Sequence, residues 1–133
     1  LNDRHRDFGR AAAKLDDLAN WPASRLSALL IAAGAGMVNG WTSLQRAADS
    51  ALKDQGLHRS PNAGWPEAAM AGGLDLVLGG PRRYGGEVVM ETGLNGSGRP
   101  QAGARDILDG LAIYRRACDC LALMVLARFV VSF

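Results

Sequence analysis

A stretch of 20 residues without a single charged side chain, from Leu26 to Gln45, constrains this chain more than any other part of its sequence. As one α-helix it would extend about 30 Å, the thickness of the hydrocarbon core of a bilayer. Its strongly apolar part ends near Val38, and polar residues such as Asn39 and Thr42 lower the hydrophobicity of the remaining residues. The stretch therefore predicts either a helix that spans or half-spans a membrane, or a helix buried in a water-soluble core.

Small residues dominate the composition. Of 133 residues, 22 are Ala and 17 are Gly, so 39 carry almost no side chain. Such residues fill little volume, and a large conventional core is difficult to build from them. They suit helices whose backbones approach each other closely, in water or in a bilayer. With a length that allows one domain only, this composition predicts a small helical unit.

Charge and cysteine content exclude some classes of function. The 15 basic residues, 13 Arg and 2 Lys, leave a net charge of +2, which excludes a strongly basic nucleic-acid-binding module. Cys118 and Cys120 would point to different sides of a helix, so we expect no disulfide between them and no cysteine metal site. This pattern favours a reducing setting that faces the cytosol.

The chain is predicted to be all-α, with a long Gly/Pro-rich loop. Pro22 is predicted to end one helix and start another, because proline lacks the N–H that a helix interior needs. An amphipathic helix follows, which Ser43 would cap and Gly56 would end in a left-handed conformation. The predicted helices cover residues 8–19, the uncharged stretch 26–45, 43–55, 67–78 and 104 to the end, and the loop covers 81–103.

An oxygen-rich cluster lies near the start of the chain. Asp16, Asp17 and Asn20 could hold Mg²⁺, which needs few protein ligands because it keeps several waters. Asp16 and Asn20 are four positions apart and share one helix face. A solvated helix end explains the same residues, and on the residues alone it is the simpler interpretation.

A second cluster lies where a proline-rich loop enters a helix. Ser60, Asn62 and Glu67 supply a hydroxyl, an amide and a carboxylate beside a helix N-terminus, which favours anions. An ordinary helix-entry turn explains this pattern too. Further along, Arg82 and Arg83 stand in a glycine frame, where paired guanidinium groups could clamp a phosphate or carboxylate, or could simply be solvated.

The run Ser-Pro-Asn-Ala-Gly-Trp-Pro-Glu-Ala-Ala-Met-Ala-Gly, residues 60–72, resembles the signature of adenosylcobinamide-phosphate synthases, the CobD/CbiB family of cobalamin biosynthesis. The similarity keeps its order and spacing over nearly the whole chain. It also departs from the family pattern, since Pro22 follows Trp21 directly and Arg82-Arg83 replaces a more usual Asn-Ser pair. Further matching segments are Leu15–Trp21, Leu78–Pro81, Tyr84–Gly86 and Tyr114–Ala117.

The resemblance implies a multi-pass protein of the cell membrane with its active site on the cytoplasmic side. It implies an enzyme that joins the propionate carboxylate of adenosylcobyric acid, a corrinoid, to aminopropanol or its phosphate by an ATP-dependent amide bond. Members of the family are longer, and residues 1–133 resemble their C-terminal portion. The missing N-terminal half is therefore an expected partner, together with the membrane and the two substrates, and nucleic acid is not.

Amide formation from a carboxylate requires activation of that carboxylate, cations for phosphate and a site dry enough to protect the intermediate. On the resemblance, eight residues are assigned to these tasks. Expected Mg²⁺ ligands are Asp16 and Asp17; expected substrate or phosphate contacts are Arg25, Arg82 and Gly64. Ser60 and Asn62 are expected to orient the reacting groups, and Glu67 is expected to accept a proton from the amine.

Three alternatives remain at the level of sequence. The first is a non-catalytic corrinoid-binding or assembly fragment that is inactive without its N-terminal half. The second is a prenyltransferase-like membrane enzyme, in which Asp16 and Asp17 would hold Mg²⁺-diphosphate, although the spacing of the acidic residues is poor. The third is an unrelated soluble helical domain.

Overall fold

The computed structural model describes residues 6–85, 87–89 and 92–132, and of residues 6–8, 82–84 and 87–89 it describes the backbone. The side chain of Arg82 thus lies outside the described part. The chain is helical, as predicted, with one small hairpin within the described ranges. In chain order the elements are α1 (Arg6–Asn39), α2 (Trp41–Asp54), a 3-10 helix (Gln55–Leu57), α3 (Gly64–Leu74), β1 (Arg82–Tyr84), β2 (Glu87–Val89) and α4 (Ala104–Val131).

The first helix does not break at Pro22, so the prediction of a break there is wrong. α1 continues through this proline for 34 residues in all. Side chains reinforce the backbone on the N-terminal side of Pro22, where the helix lacks one N–H. Asn62 Nδ2 donates to the carbonyl of Asp17 at 2.9 Å, and Ser24 Oγ donates to the carbonyl of Trp21 at 3.0 Å. These hydrogen bonds support the helix where the local sequence weakens it.

The uncharged stretch is not one helix, which corrects the prediction for residues 26–45. α1 ends at Asn39 and α2 begins at Trp41, because Gly40 adopts φ 85°, a conformation that L side chains rarely take. Within the described residues, one helix is long and apolar enough to cross a membrane, Gly9–Asn39. The core helix of a soluble protein can have the same length and composition, so this helix fits both interpretations of the stretch.

Three predicted helix ends also differ from the structure. Ser43 does not cap α2; it is fully buried, and its Oγ donates to the carbonyl of Gly73 at 2.6 Å. Gly56 is not a left-handed stop, since α2 passes into the 3-10 helix there. α3 ends earlier than predicted because Asp75 takes the left-handed conformation, with φ 56°.

The core consists mostly of alanine. α1, α2, α3 and α4 contribute Ala35, Ala47, Ala69 and Ile113, all of them fully buried. α1 packs against each of the other three α-helices, and α2 packs most extensively against α3. The small side chains predicted to allow close helix packing therefore form the centre of the fold.

Glycines allow these backbones to meet. A Cβ on Gly34 would stand 2.5 Å from the carbonyl oxygen of Ile113 in α4. A Cβ on Gly72 would overlap the carbonyl oxygen of Arg46, and one on Gly64 would overlap that of Gln55. Three of the interhelical contacts therefore have no room for even one methyl group.

The segment before α4 is fixed to that helix by Asp106. Asp106 Oδ2 accepts the N–H of Gly103 at 2.7 Å, and Oδ1 pairs with Arg99 Nη2 at 2.6 Å. The hydrogen bond from Arg99, and next that from Gly103, hold the pKa of the Asp106 carboxyl below its usual range. The carboxylate also suits the first turn of a helix, where the dipole favours negative charge.

Large apolar side chains cover much of the outer surface. On α1 the exposed residues include Leu15, Leu18 and Trp21. On α4 every residue from 121 to 131 is exposed. The largest exposed apolar side chains of this half of α4 are Leu121, Leu123, Met124, Val125, Leu126, Phe129, Val130 and Val131. Apolar patches of this kind mark surfaces that another protein or a membrane covers.

Replacing Gly72 with alanine is expected to lower the free energy of unfolding by about 1–3 kcal/mol, the usual effect of overpacking a filled contact. Gly56→Ala is the matched control, because a Cβ there meets nothing within 4 Å and φ is not positive. Thermal unfolding in mild detergent, followed by circular dichroism, measures the stability of both variants. Equal stability of the two variants would contradict the close contact between α2 and α3.

The Asp106 contacts predict a specific dependence of stability on pH. Because the folded pKa of Asp106 is lowered, its contribution is complete above the unfolded pKa of about 4 and is lost as pH falls through the folded value. We expect Asp106→Ala to remove this part of the acid sensitivity. Denaturation midpoints of the unaltered protein and of Asp106→Ala, measured between neutral and acidic pH, test this expectation. Equal loss of stability with falling pH in the two proteins would contradict it.

Candidate active site around Arg25 and Asn62

Asn62, in the loop before α3, joins this loop to α1 through both ends of its amide. Its Nδ2 donates to the carbonyl oxygen of Asp17 at 2.9 Å and approaches Asp17 Oδ1 at 3.3 Å. Its Oδ1 accepts from Arg25 Nη1 at 3.2 Å and lies 3.1 Å from Ser24 Oγ, whose single hydrogen is shared with the carbonyl of Trp21. Three residues of α1 are thus held by one side chain 37 or more positions away in sequence.

Arg25 is held in one orientation. Its Nη1 also donates to the carbonyl of Trp21 at 2.9 Å and to Ser24 Oγ at 3.0 Å. Its guanidinium carbon lies 4.3 Å from the ring centroid of Trp21 and 4.8 Å from that of Trp65. Within the described residues, Nε and Nη2 have no acceptor. The group is therefore oriented by one nitrogen and two rings, while its other donors are available to an anion.

An apolar cavity of about 240 Å³ adjoins this arginine. Arg25 and Trp65 line it together with Ala32 and the exposed side chains of Leu29 and Leu52. The indole Nε1 of Trp65 is buried and has no hydrogen-bond partner in the described part of the chain. A cation beside an apolar surface suits a ligand that combines an anionic group with an apolar body.

His58 organises the rest of the loop. Its Nδ1 accepts the N–H of Ser60 at 2.9 Å, so a neutral ring carries its proton on Nε2. That nitrogen lies 3.5 Å from Glu67 Oε2, in the first turn of α3. Ser60 Oγ accepts the N–H of Ala63 at 3.4 Å. His58 therefore contacts the half-exposed carboxylate of Glu67 and joins it to the loop before α3.

The structure brings together only part of the predicted site. Asp17, Arg25 and Asn62 form one connected cluster. Ser60 and Glu67 belong to a neighbouring group centred on His58, and Gly64, the first residue of α3, lies close to Gln55 and His58. The functional roles expected of all eight residues stay predictions, and the side chain of Arg82 lies outside the described part.

The two expected Mg²⁺ ligands, Asp16 and Asp17, do not form a cage of ligands among the described residues. No group of three His, Cys, Asp or Glu side chains that could hold a metal occurs among the described residues. One or two carboxylates are enough for Mg²⁺ when a phosphate supplies the other oxygens. Asp17 is half-buried beside Asn62, whereas Asp16 is exposed and about 100° further round the helix. Asp17 would be the main ligand, and Asp16 an outer one.

Sequence reasoning missed the side chains that position Arg25. Trp21 and Arg25 are four positions apart on one helix, a spacing that could have indicated their contact. Trp65 and Ser24 gave no such signal, because their contacts depend on how the loop folds back onto α1. The pairing of His58 with Glu67 was also missed, since these residues are separated by a turn of unpredictable path.

Comparison with known proteins gives a consistent result. Residues 1–114 match the family model described as "CobD/Cbib protein". The chain is 56% identical over 124 residues to "Cobalamin biosynthesis protein CobD" of Sinorhizobium sp, covering 93% of this chain and 38% of that protein. It is 47% identical over 132 residues to the protein of the same name from Brucella suis biovar 1, covering 99% and 40%. It is 43% identical over 123 residues to the protein of the same name from Rhodobacter capsulatus, which covers 92% of this chain and 37% of that protein.

The chain thus spans about two fifths of the length of these curated relatives. No solved structure matches it.

Asn62→Ala is expected to lower the free energy of unfolding by about 2–3 kcal/mol, since several partly buried hydrogen bonds lose their partner. It should also release Arg25 from between the two indole rings and change tryptophan fluorescence. Asn20→Ala, at an exposed position of α1, is the control and should change neither property. Equilibrium denaturation with emission spectra tests this, and an unchanged spectrum for Asn62→Ala would contradict the described network.

Proposed function

The chain belongs to the CobD/CbiB family, and on that premise we propose that it carries part of the active site of an adenosylcobinamide-phosphate synthase. The proposed reaction joins adenosylcobyric acid to aminopropanol or its phosphate by an ATP-dependent amide bond. The curated relatives are named as cobalamin biosynthesis proteins, which supports the pathway. The reaction itself, the substrates and the partners are our proposals for the whole protein.

The observation that carries the proposal is the oriented guanidinium of Arg25 at an apolar cavity. A corrinoid presents propionate carboxylates at the edge of a large, mainly apolar ring system. Arg25 would bind one such carboxylate through the nitrogens that the protein leaves unused, and Leu29, Leu52 and Trp65 would contact the adjoining ring edge. Since Trp21 and Trp65 confine the guanidinium, little orientational entropy is lost on binding.

Amide formation then requires two steps. A carboxylate oxygen attacks the terminal phosphate of ATP, which gives an acyl phosphate and ADP. The amine attacks the acyl carbon, inorganic phosphate leaves, and the proton of the new ammonium passes to a base. Mg²⁺ at Asp17 and Asp16 would neutralise phosphate charge in the first step.

Glu67 is the base in this proposal. Its carboxylate is half exposed and can accept a proton, and His58 Nε2 lies 3.5 Å from it on the side of the loop. Asn62 would hold Arg25 and Asp17 in a fixed relation, and Ser60 would fix the loop between Asn62 and His58. Arg82 and Gly64 are proposed as phosphate contacts.

We propose a location in the cell membrane, with several spans in the whole protein and the active site on the cytoplasmic side. One helix of the described part, Gly9–Asn39, could span a membrane by length and composition. The exposed apolar side chains of α4 support a surrounding of lipid or of further helices. We propose that residues 1–133 are the C-terminal portion and that an N-terminal half supplies those helices.

A second candidate function follows from the share of the family length that is present. A chain that spans about two fifths of its relatives could bind a corrinoid or assist assembly without turnover. Amide product formed by the purified 133-residue chain alone would exclude this candidate. Corrinoid binding without product, with activity restored by an added N-terminal half, would support it.

Arg25→Lys in the full-length protein is expected to lower kcat/KM for adenosylcobyric acid by about 10–100-fold, the loss typical of a charge-assisted hydrogen bond. Lysine keeps the charge but cannot stack between two indoles or offer a planar pair of donors. Arg10→Lys, at an exposed position of α1, is the matched control. Measurement of amide product tests the proposal, and unchanged kcat/KM in Arg25→Lys would remove Arg25 from the site.

A further inference from the structure

His58 holds the loop before α3 through one atom, its ring nitrogen Nδ1. The N–H of Ser60 donates to this nitrogen at 2.9 Å. Other hydrogen bonds of the same turn are longer, since the nitrogen of Ala63 lies 3.4 Å from Ser60 Oγ and the nitrogen of Gly64 lies 3.4 Å from the Ser60 carbonyl oxygen. Because hydrogen bonds weaken at such lengths, the contact with His58 is the strongest of these three.

The position of Ser60 affects Asn62, the residue that joins the loop to α1. Pro61 stands between them, and its ring fixes one of the backbone dihedral angles through which the loop could adjust. A displacement of Ser60 is therefore passed on to Asn62. Since Asn62 Oδ1 accepts from Arg25 Nη1 at 3.2 Å, the orientation of Arg25 depends in part on the hydrogen bond at His58.

The same ring nitrogen has a second partner within reach. Nδ1 of His58 lies 3.2 Å from the carbonyl oxygen of Ser60. In the neutral ring with its proton on Nε2, Nδ1 is an acceptor and takes the N–H of Ser60. In the protonated ring both nitrogens are donors, so Nδ1 can no longer accept this N–H and can donate to the carbonyl instead. Protonation therefore changes which backbone group of Ser60 the ring binds.

The charge beside His58 favours its protonated form over a free ring. Oε2 of Glu67, in the first turn of α3, lies 3.5 Å from Nε2, and its carboxylate can pair with a protonated imidazole. Arg59, the next residue of the loop, is exposed. Asp54 at the end of α2 and Asp17 in α1 have other hydrogen-bond partners. Among the described residues, Glu67 is thus the charged group that contacts this ring.

We propose that His58 is a positioning residue of the candidate active site, and that only its neutral form holds the loop so that Asn62 orients Arg25. Protonation releases the N–H of Ser60, and the cluster around Arg25 then loses its fixed geometry. The consequence for turnover rests on the proposed function. The consequence for the loop depends only on contacts within the chain.

The deciding experiment is a pH titration of the tryptophan emission of the full-length protein without substrates. Trp21 and Trp65 stack on Arg25, so release of the loop should shift their emission maximum. A one-proton transition is expected between about pH 5 and 8, the range in which histidine side chains change charge. His5→Asn removes the other histidine of residues 1–133 and, as the control, should keep the transition. No transition, or one that persists when His58 is replaced, would overturn the proposal.

Two substitutions of His58 separate positioning from packing. The side-chain oxygen of asparagine readily accepts the N–H two residues further on, so His58→Asn keeps a partner for Ser60 but cannot be protonated. It should show the neutral emission at every pH of the titration. His58→Ala should show the acid emission already at neutral pH. Circular dichroism verifies that both variants fold; if His58→Ala does not, a transition retained in His58→Asn would still overturn the proposal, and its loss would support it.

Turnover gives a second readout. In the unaltered protein, kcat/KM for adenosylcobyric acid should fall with pH through the same transition. His58→Asn should remove this decline, and His58→Ala should lower kcat/KM at neutral pH by about tenfold, the effect of one lost hydrogen bond. An emission transition with no change in kcat/KM would overturn the positioning role. Absence of amide product from the unaltered protein at every pH, with the emission transition intact, would contradict the proposed function and still support the hold of His58 on the loop.

Discussion

The close approach of helix backbones is the constraint on which the rest of this structure depends. Gly34 lets α1 meet α4, Gly72 lets α3 meet α2, and Gly64 lets the start of α3 meet the end of α2. Alanine fills the remaining space, so each residue buries little apolar surface. The core is therefore held by many small side-chain contacts rather than by a few contacts between large side chains. Because the helices cannot slide apart without opening these contacts, loops between them are held at fixed positions. The loop that carries Asn62 is one of them, and it meets α1 at Asp17, Ser24 and Arg25.

α2 lines two separate cavities. Leu52 lines the apolar cavity near Arg25, while Lys53 and Asp54 line a charged cavity on another side of the same helix. The buried hydroxyl of Ser43 and the side chain of Arg46 fix α2 to the carbonyls of Gly73 and Gly72 in α3. A helix fixed in this way keeps the two cavities in a constant relation.

The sequence predicted the helical class and the position of α4, and three of its candidate site residues, Asp17, Arg25 and Asn62, are in contact in the structure. It failed where distant contacts outweigh local signals. Pro22 favoured a break in the helix by its local chemistry. In the structure the helix is hydrogen-bonded to Asn62, which donates to the carbonyl of Asp17, 45 positions away in sequence. Ser43 had the chemistry of a cap, yet its hydroxyl reaches a carbonyl 30 positions away. The path of the loop through His58 has no periodic signal, so neither its pairing with Glu67 nor the stacking of Trp65 on Arg25 could be predicted.

The apolar half of α4 also ties the lifetime of this chain to its surroundings. Eleven consecutive exposed positions, most of them apolar, are a surface that chaperones and proteases recognise when nothing covers it. A copy in which this surface stayed uncovered would be expected to aggregate or to be degraded sooner than a covered one. The abundance of the protein would then follow the supply of whatever covers α4, without any separate regulatory device.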